Sequence, residues 1–209
     1  MSWLVLSNGA EQQLAGPGAL TAQYTIDSIA HQLAQINRFT GATYRPYSVA
    51  EHSLLCADLA AEAGCTPLVQ LCCLLHDAHE CIVGDMASPL KGQLREAWTA
   101  LEALHARTLR AHFGLRSAFA AHRAAVAHFD LVALATERQD LLEYSQGRNA
   151  PWPVLDTAGQ QVYPAGVNLR RLWREQRHWG EWRDAFLEKY EDLGPWVQRT
   201  AGHGAEVQA

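Results

Sequence analysis

Apolar positions recur at steps of three and four residues along most of the chain, and only its first residues depart from that rhythm. Ile26, Ile29, Leu33 and Ile36 form one stripe, which predicts an amphipathic helix ending near Arg38. Ser48 with Glu51 three residues later has the form of a capping box. A second helix should begin there, carry His52 in its first turns and stop at Gly64. Thr66-Pro67 opens a third, with Thr66 as cap and Pro67 at the first helical position. Its Leu71, Leu74 and Leu75 face inward, and it delivers His76, Asp77 and Glu80 near its end. After a loop from Val83 to Leu90, a long helix is expected through Leu94, Trp98, Leu101, Leu104 and Leu109 as far as Gly114. Another should run from about Ser117 to Ser145, with Val126, Leu131, Leu134 and Leu141 on its apolar face. The segment Gly147 to Val167 has no period and contains Pro151, Pro153 and Pro164, so it is either functional or draped over the core. A last helix from near Leu169 to Tyr190 is anchored by Leu172, Trp179, Phe186 and Leu187.

The exception to the helical period is Trp3-Leu4-Val5-Leu6, followed by Asn8-Gly9, a strong short hairpin-turn signal. The expected class is therefore all-α, a helical bundle of about six or more helices with a small N-terminal β-hairpin. The organisation reads as an N-terminal hairpin or extension over 1–20 and a helical core over 21–146. A loop and C-terminal helix over 147–201 should pack on that core, with a tail at 202–209. A length of 209 residues suits one core.

Composition narrows the function classes. Hydrophobic residues at 48% and charged residues at 19% describe a globular chain. A net charge of −5 gives no footprint for a nucleic-acid polymer, so an anionic substrate must be met by a few local Arg or Lys residues. Cys56, Cys65, Cys72, Cys73 and Cys81 are odd in number, and none has Cys-x-x-Cys spacing. Most fall at apolar helical positions, which favours buried reduced thiols over metal ligands and suits a reducing cytosol. Trp3 to Leu6 is too short for a secretory core and no apolar run approaches membrane-spanning length. A cytoplasmic protein without a membrane partner is the expectation. Seven tryptophans, several in the last third, offer material for homo-oligomer interfaces.

The candidate chemistry centres on His76-Asp77, with Glu80 after it and His52 before it. Neighbours on a helix leave it about 100° apart, so His76 and Asp77 share an ion only if it lies off the helix surface between them. The remaining ligands must come from other helices, and His52 and Asp130 are the candidates. Two imidazoles with two carboxylates suit Mn, Fe, Co, Ni or Zn better than Ca, with Mg as a further option. Such a set leaves positions for water and a phosphate oxygen. Polar groups at the end of an apolar helix are costly without a partner, which sets His76-Asp77 apart from a chance pair. On a continuous helix Glu80 lies one turn beyond His76 on the same face. His105, His112, His122, His178 and His203 read as surface or core residues, and His79 and His128 as near neighbours of the site or surface.

In order, Asn37-Arg38-Phe39, Tyr47-Ser48-Val49-Ala50-Glu51-His52-Ser53, Leu75-His76-Asp77-Ala78-His79-Glu80, Gly84-Asp85-Met86-Ala87-Ser88-Pro89-Leu90-Lys91 and Phe129-Asp130-Leu131-Val132 resemble the HD-domain phosphohydrolases. The resemblance is in particular to bacterial deoxyribonucleoside 5′-monophosphate nucleotidases and phage dATP triphosphohydrolases. It implies His52, His76, Asp77 and Asp130 as metal ligands, Arg38 as the phosphate-gripping arginine and Glu80 as the acid that orients or deprotonates the attacking water. It also implies Asp85 near the sugar and water, and Pro89 and Lys91 in a loop facing base and phosphates. Phe39 stands where a tryptophan is common in these relatives, beside the 2′ position of the sugar. The implied activity is hydrolysis of a deoxynucleotide at the α-phosphorus. It would release phosphate from a monophosphate, the favoured substrate, or triphosphate from a dNTP, with Lys91, Arg45 and Arg123 as extra charge partners for the longer chain. A hydrolase of cyclic dinucleotides or guanosine alarmones, and a non-catalytic helical module, are the alternatives.

Overall fold

In the computed structural model, which describes residues 2–202 and their side chains as far as residue 194, the chain begins with the expected hairpin. Strands β1 (Trp3–Val5) and β2 (Glu11–Gln13) pair antiparallel, with Trp3 opposite Gln13. Gly9 turns the chain at φ 81°, a left-handed conformation that lacks the Cβ clash of other residues. The helices that follow are α1 (Ile26–Leu33), α2 (Val49–Glu62), α3 (Pro67–Leu75), α4 (Glu80–Val83) and α5 (Ser88–His112). Then come α6 (Arg116–Ala121), α7 (Arg123–Leu141), α8 (Pro153–Asp156), α9 (Leu172–Gln176) and α10 (Trp179–Gly202). None of the described helices is long and apolar enough to cross a membrane.

Helix α2 is the centre of the bundle. Its first turn is capped by Ser48, whose Oγ accepts from Glu51 N–H at 3.2 Å. Buried residues cover nearly its whole circumference, as a central helix requires, and it packs against α1, α3, α7 and α10. Leu33, Leu55, Leu74, Leu75, Leu109 and Leu141 are at most 3% exposed. Burial stabilises the fold by about 1.5–3 kcal/mol for each such side chain.

Several boundaries differ from the sequence expectation for identifiable reasons. Helix α1, capped by reciprocal bonds between Thr25 and Ser28, stops at Leu33 and not near Arg38. Residues 36–38 instead run beside 47–49: Val49 N–H donates to Ile36 O and Arg38 N–H to Tyr47 O, both at 2.9 Å. The expected single helix ending at Gly114 is two stretches meeting at Arg95, whose φ of 48° and ψ of −128° are not helical, and Leu94 is 51% exposed. The next expected helix divides at His122 into α6 and α7 and ends at Leu141, not Ser145. The last one divides as well: Arg177 is extended, and His178 N–H donates to Glu181 Oε2 at 2.8 Å, so α10 starts afresh. Leu172 is therefore exposed, and Trp182 anchors that region in the core. Within the irregular segment, α8 buries Leu155 completely. The expected tail beyond residue 202 lies outside the described residues.

Candidate metal centre

The apolar run of α3 ends at Leu75, and the chain then tightens instead of continuing as a helix. Ala78 N–H donates to Leu75 O at 3.2 Å and Glu80 N–H to Asp77 O at 2.9 Å, both three-residue steps. Glu80 thus begins α4 and does not extend the His76 face of a continuous helix. His76 Nδ1–H donates to Cys73 O at 2.7 Å, which turns Nε2 to the interior. His52, in the first turns of α2, is set the same way by Glu137 Oε1, 2.5 Å from its Nδ1.

The two Nε2 atoms lie 3.3 Å apart. Asp130 Oδ1, from α7, is 3.3 Å from His52 Nε2 and 3.7 Å from His76 Nε2. Asp77 Oδ2 is 3.6 Å from His52 Nε2 and 3.2 Å from His76 Nε2. Zinc-like ions bind such atoms at about 2.0–2.2 Å, which corresponds to donor-to-donor edges of roughly 3.0–3.5 Å in octahedral or tetrahedral shells. These separations are close to those edges, and imidazole and carboxylate donors suit a transition-metal ion. Their electrostatics agree. Burial opposes the imidazolium of His76, yet Asp77 and Asp130 overturn it and the net shift is well upward. Burial and Arg38 likewise oppose protonation of His52, and Glu137 and Asp130 prevail. Asp77 and Asp130 are held low by the two imidazoles despite burial. Anions and protons hold each other here, and a cation can take the protons' place.

Cys56, assigned from sequence to the core, is also at this centre. Its Sγ lies 3.6 Å from His52 Nε2, and donor atoms of His52, Cys56, His76 and Asp130 all fall within 4.8 Å of one another. Burial first, then Asp130 and Glu137, push its thiol well above the ordinary range. The signal in the sequence was its position one helical turn after His52.

Arg38 is buried beside the cage, with Nη1 3.6 Å from Asp77 Oδ2 and Nη2 3.2 Å from Glu137 Oε2. Its buried Nε has no partner. Phe39 and Thr40 follow in left-handed conformations at φ 55° and 52°. Such strain costs about 1–3 kcal/mol per residue and gathers at functional sites. The Arg38 guanidinium lies 5.4 Å over the Phe39 ring. Glu80 is 2% exposed and its Oε2 has no hydrogen bond. Burial, then Asp77 and Asp85, push its carboxyl up to about 10. Burial also raises Asp85 against the pull of Arg38, with Asp77 adding to the rise. Lys91 Nζ is 2.6 Å from Glu102 and 4.0 Å from Glu80, and Pro89 is exposed on the first turn of α5.

Two expected charge partners are elsewhere. Arg45 is locked in a two-bonded pair with Glu51, both bonds 2.8 Å, and also donates to Leu169 O at 3.1 Å. Arg174 adds a 2.7 Å contact to Glu51, so the Glu51 carboxylate does not complete the capping box expected of it. Arg123 is exposed at the start of α7. Glu137 was missed from sequence. Fully buried, it receives Tyr47 Oη–H at 2.9 Å along with His52 and Arg38, and so joins a ligand to the arginine. Its position two turns after Asp130 on one helix was the available clue. His79 is buried with Nε2 3.6 Å from Glu102, and His128 is exposed.

A mostly helical chain with a buried His/Cys/His/Asp group able to hold a metal is consistent with an HD-type helical domain. The chain is 32% identical over 164 residues to the uncharacterized protein RCAP_rcc00048 of Rhodobacter capsulatus, spanning 74% of this chain and 83% of that one. It is 34% identical over 131 residues to the uncharacterized protein YfdR of Escherichia coli, spanning 63% and 67%. It belongs to the family of these bacterial proteins. No protein-family model matches it.

Proposed function

We propose that this protein hydrolyses a deoxynucleoside 5′-monophosphate, breaking the linkage between phosphorus and O5′ to release the deoxynucleoside and inorganic phosphate. The observation that carries this reading is the company of the four-donor cage: a buried arginine with an unpartnered Nε and a buried carboxyl with an unpartnered Oε2. His52, His76, Asp77 and Asp130 would hold a divalent ion, which when bound neutralises phosphate charge and acidifies a water. Arg38 presents a planar fork of donors to the non-bridging oxygens. Glu80 orients the attacking water and, once a bound cation offsets the charge of Asp77 and lets its carboxyl ionise, would take the water's proton, a role typically worth about 10²–10⁴-fold. Asp85 supports that water and the sugar, and Phe39 is assigned the wall beside the 2′ position. A monophosphate is preferred over a triphosphate because the cations for a longer chain are engaged or remote: Lys91 with Glu102, Arg45 with Glu51, Arg123 in solvent. The same reading takes the protein as a cytoplasmic homo-oligomer, with exposed Leu172 and Trp173 as apolar surface for self-association.

The test is to incubate the purified protein with Mn²⁺ or Co²⁺ and a panel of deoxynucleoside mono- and triphosphates. Deoxynucleoside should appear from the monophosphates, and His76→Ala or Asp77→Ala should abolish it while lowering bound metal. Release of triphosphate from dNTPs alone would shift the substrate, and no nucleoside from any of them would overturn the reading. Background metal content in the unaltered protein would favour a non-catalytic helical module.

A further inference from the structure

Lys91 and Glu102 lie 11 residues apart on α5, yet Lys91 Nζ is 2.6 Å from Glu102 Oε1. On an unbroken helix that spacing is about 16 Å of rise, beyond the reach of the two side chains. The contact exists because α5 breaks between them. Arg95 takes φ 48° and ψ −128°, a sparsely populated conformation for a residue with a Cβ, and its first turns fold back toward the body of the helix. His79 Nε2, buried and without a hydrogen bond, stands 3.6 Å from the same Glu102 oxygen. His79 and then Lys91 hold the Glu102 carboxyl low against burial, so it carries a full negative charge near neutral pH.

Lys91 is also at the edge of the metal centre, with Nζ 4.0 Å from Glu80 Oε1. Arg38 and Lys91 are the cationic side chains that act on Glu80, and both also act on Asp85. The surroundings are otherwise acidic, with Asp77, Glu80, Asp85 and Glu102 close by. A single phosphate can be met by the ion and Arg38. Each further phosphate adds negative charge among these carboxylates and needs another cation. Lys91, on a flexible four-carbon stem, is placed to supply one, and Glu102 holds it.

We propose that Glu102 is a specificity-determining residue: by holding Lys91 across the break in α5, it limits the site to a substrate with one phosphate. The inference rests on the nucleotide reading above and deepens it, because it assigns the choice of phosphate number to a side chain outside the cage. Glu102 acts through Lys91, and the break at Arg95 is what brings the two together.

The experiment compares kcat/KM for deoxyadenosine triphosphate with that for the monophosphate in the Mn²⁺-loaded full chain. Glu102→Gln should raise the ratio of triphosphate to monophosphate roughly tenfold, chiefly through KM of the triphosphate, as a charge-assisted bond from a part-exposed lysine would. Adding Lys91→Gln should remove that gain, and Glu102→Asp, which keeps the charge, should show little of it. An unchanged ratio in Glu102→Gln, or a gain that survives without Lys91, would overturn the proposal. If the glutamine variant does not fold, Glu102→Ser takes its place. Calorimetric binding of inorganic tripolyphosphate and of phosphate, with Mg²⁺ in excess of both anions, supplies a readout independent of hydrolysis. Tripolyphosphate should bind Glu102→Gln about tenfold tighter than the wild type, phosphate about equally, and the gain should vanish with Lys91→Gln. If no nucleotide is hydrolysed but that pattern holds, the reaction is wrong and the gate stands; equal tripolyphosphate affinity in wild type and Glu102→Gln sinks the gate.

Discussion

Glu137 offers the sharpest perturbation of the metal centre, because it touches no proposed substrate and binds no ion itself. Three donors converge on its buried carboxylate: Tyr47 Oη at 2.9 Å, His52 Nδ1 at 2.5 Å and Arg38 Nη2 at 3.2 Å. Glu137→Gln keeps the shape, removes the charge and replaces one acceptor oxygen by a donor, so at least one of the three must face another N–H. A hydrogen bond to a charged group contributes about 1.5–3 kcal/mol. Removing the partner that orients a ligating histidine typically weakens metal affinity about 10- to 100-fold. Glu137→Ala is harsher, since it strands the buried Arg38 charge at a cost of about 3–5 kcal/mol. For a chain of this size that is a fall in Tm of roughly 6–20 °C. The carboxylate is held low, against burial, by Arg38 and His52. Its contribution is thus full above the ordinary value of 4.5 and fades as pH falls below it, so wild type and Glu137→Gln should converge in acid. Calorimetric titration with Mn²⁺ or Zn²⁺ and thermal melts of the metal-free proteins measure both effects. Metal affinity within twofold of wild type in Glu137→Gln, together with an unchanged melt, would refute the argument that His52 is set by this carboxylate.

Two other outcomes follow from the same centre. Glu80, raised to about 10, is protonated in the folded metal-free protein and ionised in the unfolded chain above about 4.5. The folded state then holds the extra proton, so stability falls as pH rises through that window. Glu80→Gln should melt above the wild type by a margin that widens from about pH 5 to about pH 9, and a constant margin would contradict this. Asp77 approaches both imidazoles within 3.6 Å, so it is expected to serve as the fourth donor ahead of the Cys56 thiol. Cobalt-loaded protein should lack a sulfur-to-metal charge-transfer band and Cys56→Ser should keep wild-type affinity; an intense band lost in Cys56→Ser would reverse the assignment.

Much of this centre was legible in the chain because its parts lie on or beside strongly periodic helices. His52 follows a capped start, and Asp130 sits in an unbroken apolar pattern. What periodicity could not convey was where non-local bonds end a helix. The pairing of residues 36–38 with 47–49 shortened α1 and put Arg38 and Phe39 on a strained turn. The tight turn after Leu75 made Glu80 the start of a new helix, so its nearness to the cage arises from tertiary packing and not from a shared face. Arg45 looked like a spare cation, and its two-bonded partner was six residues away in a residue already given a capping role. Leu172 fits a helical stripe, but the break at Arg177 and His178 turns that stripe outward.

Helix α7 has a consequence for how far apart two parts of the molecule are held. It supplies Asp130 to the cage, and about two to three turns later Thr136, Glu137, Arg138 and Asp140 hold Ala165, Arg38, Asp156 and Leu169. One rigid rod therefore carries the ion site at one point and the anchors of the irregular segment at another. Eight residues separate Asp130 from Arg138, about 12 Å at a rise of 1.5 Å per residue. The distance between those two stations is set by helical pitch, not by the adjustable length of a loop. Inserting or deleting a single residue in this rod would rotate one station relative to the other as well as move it.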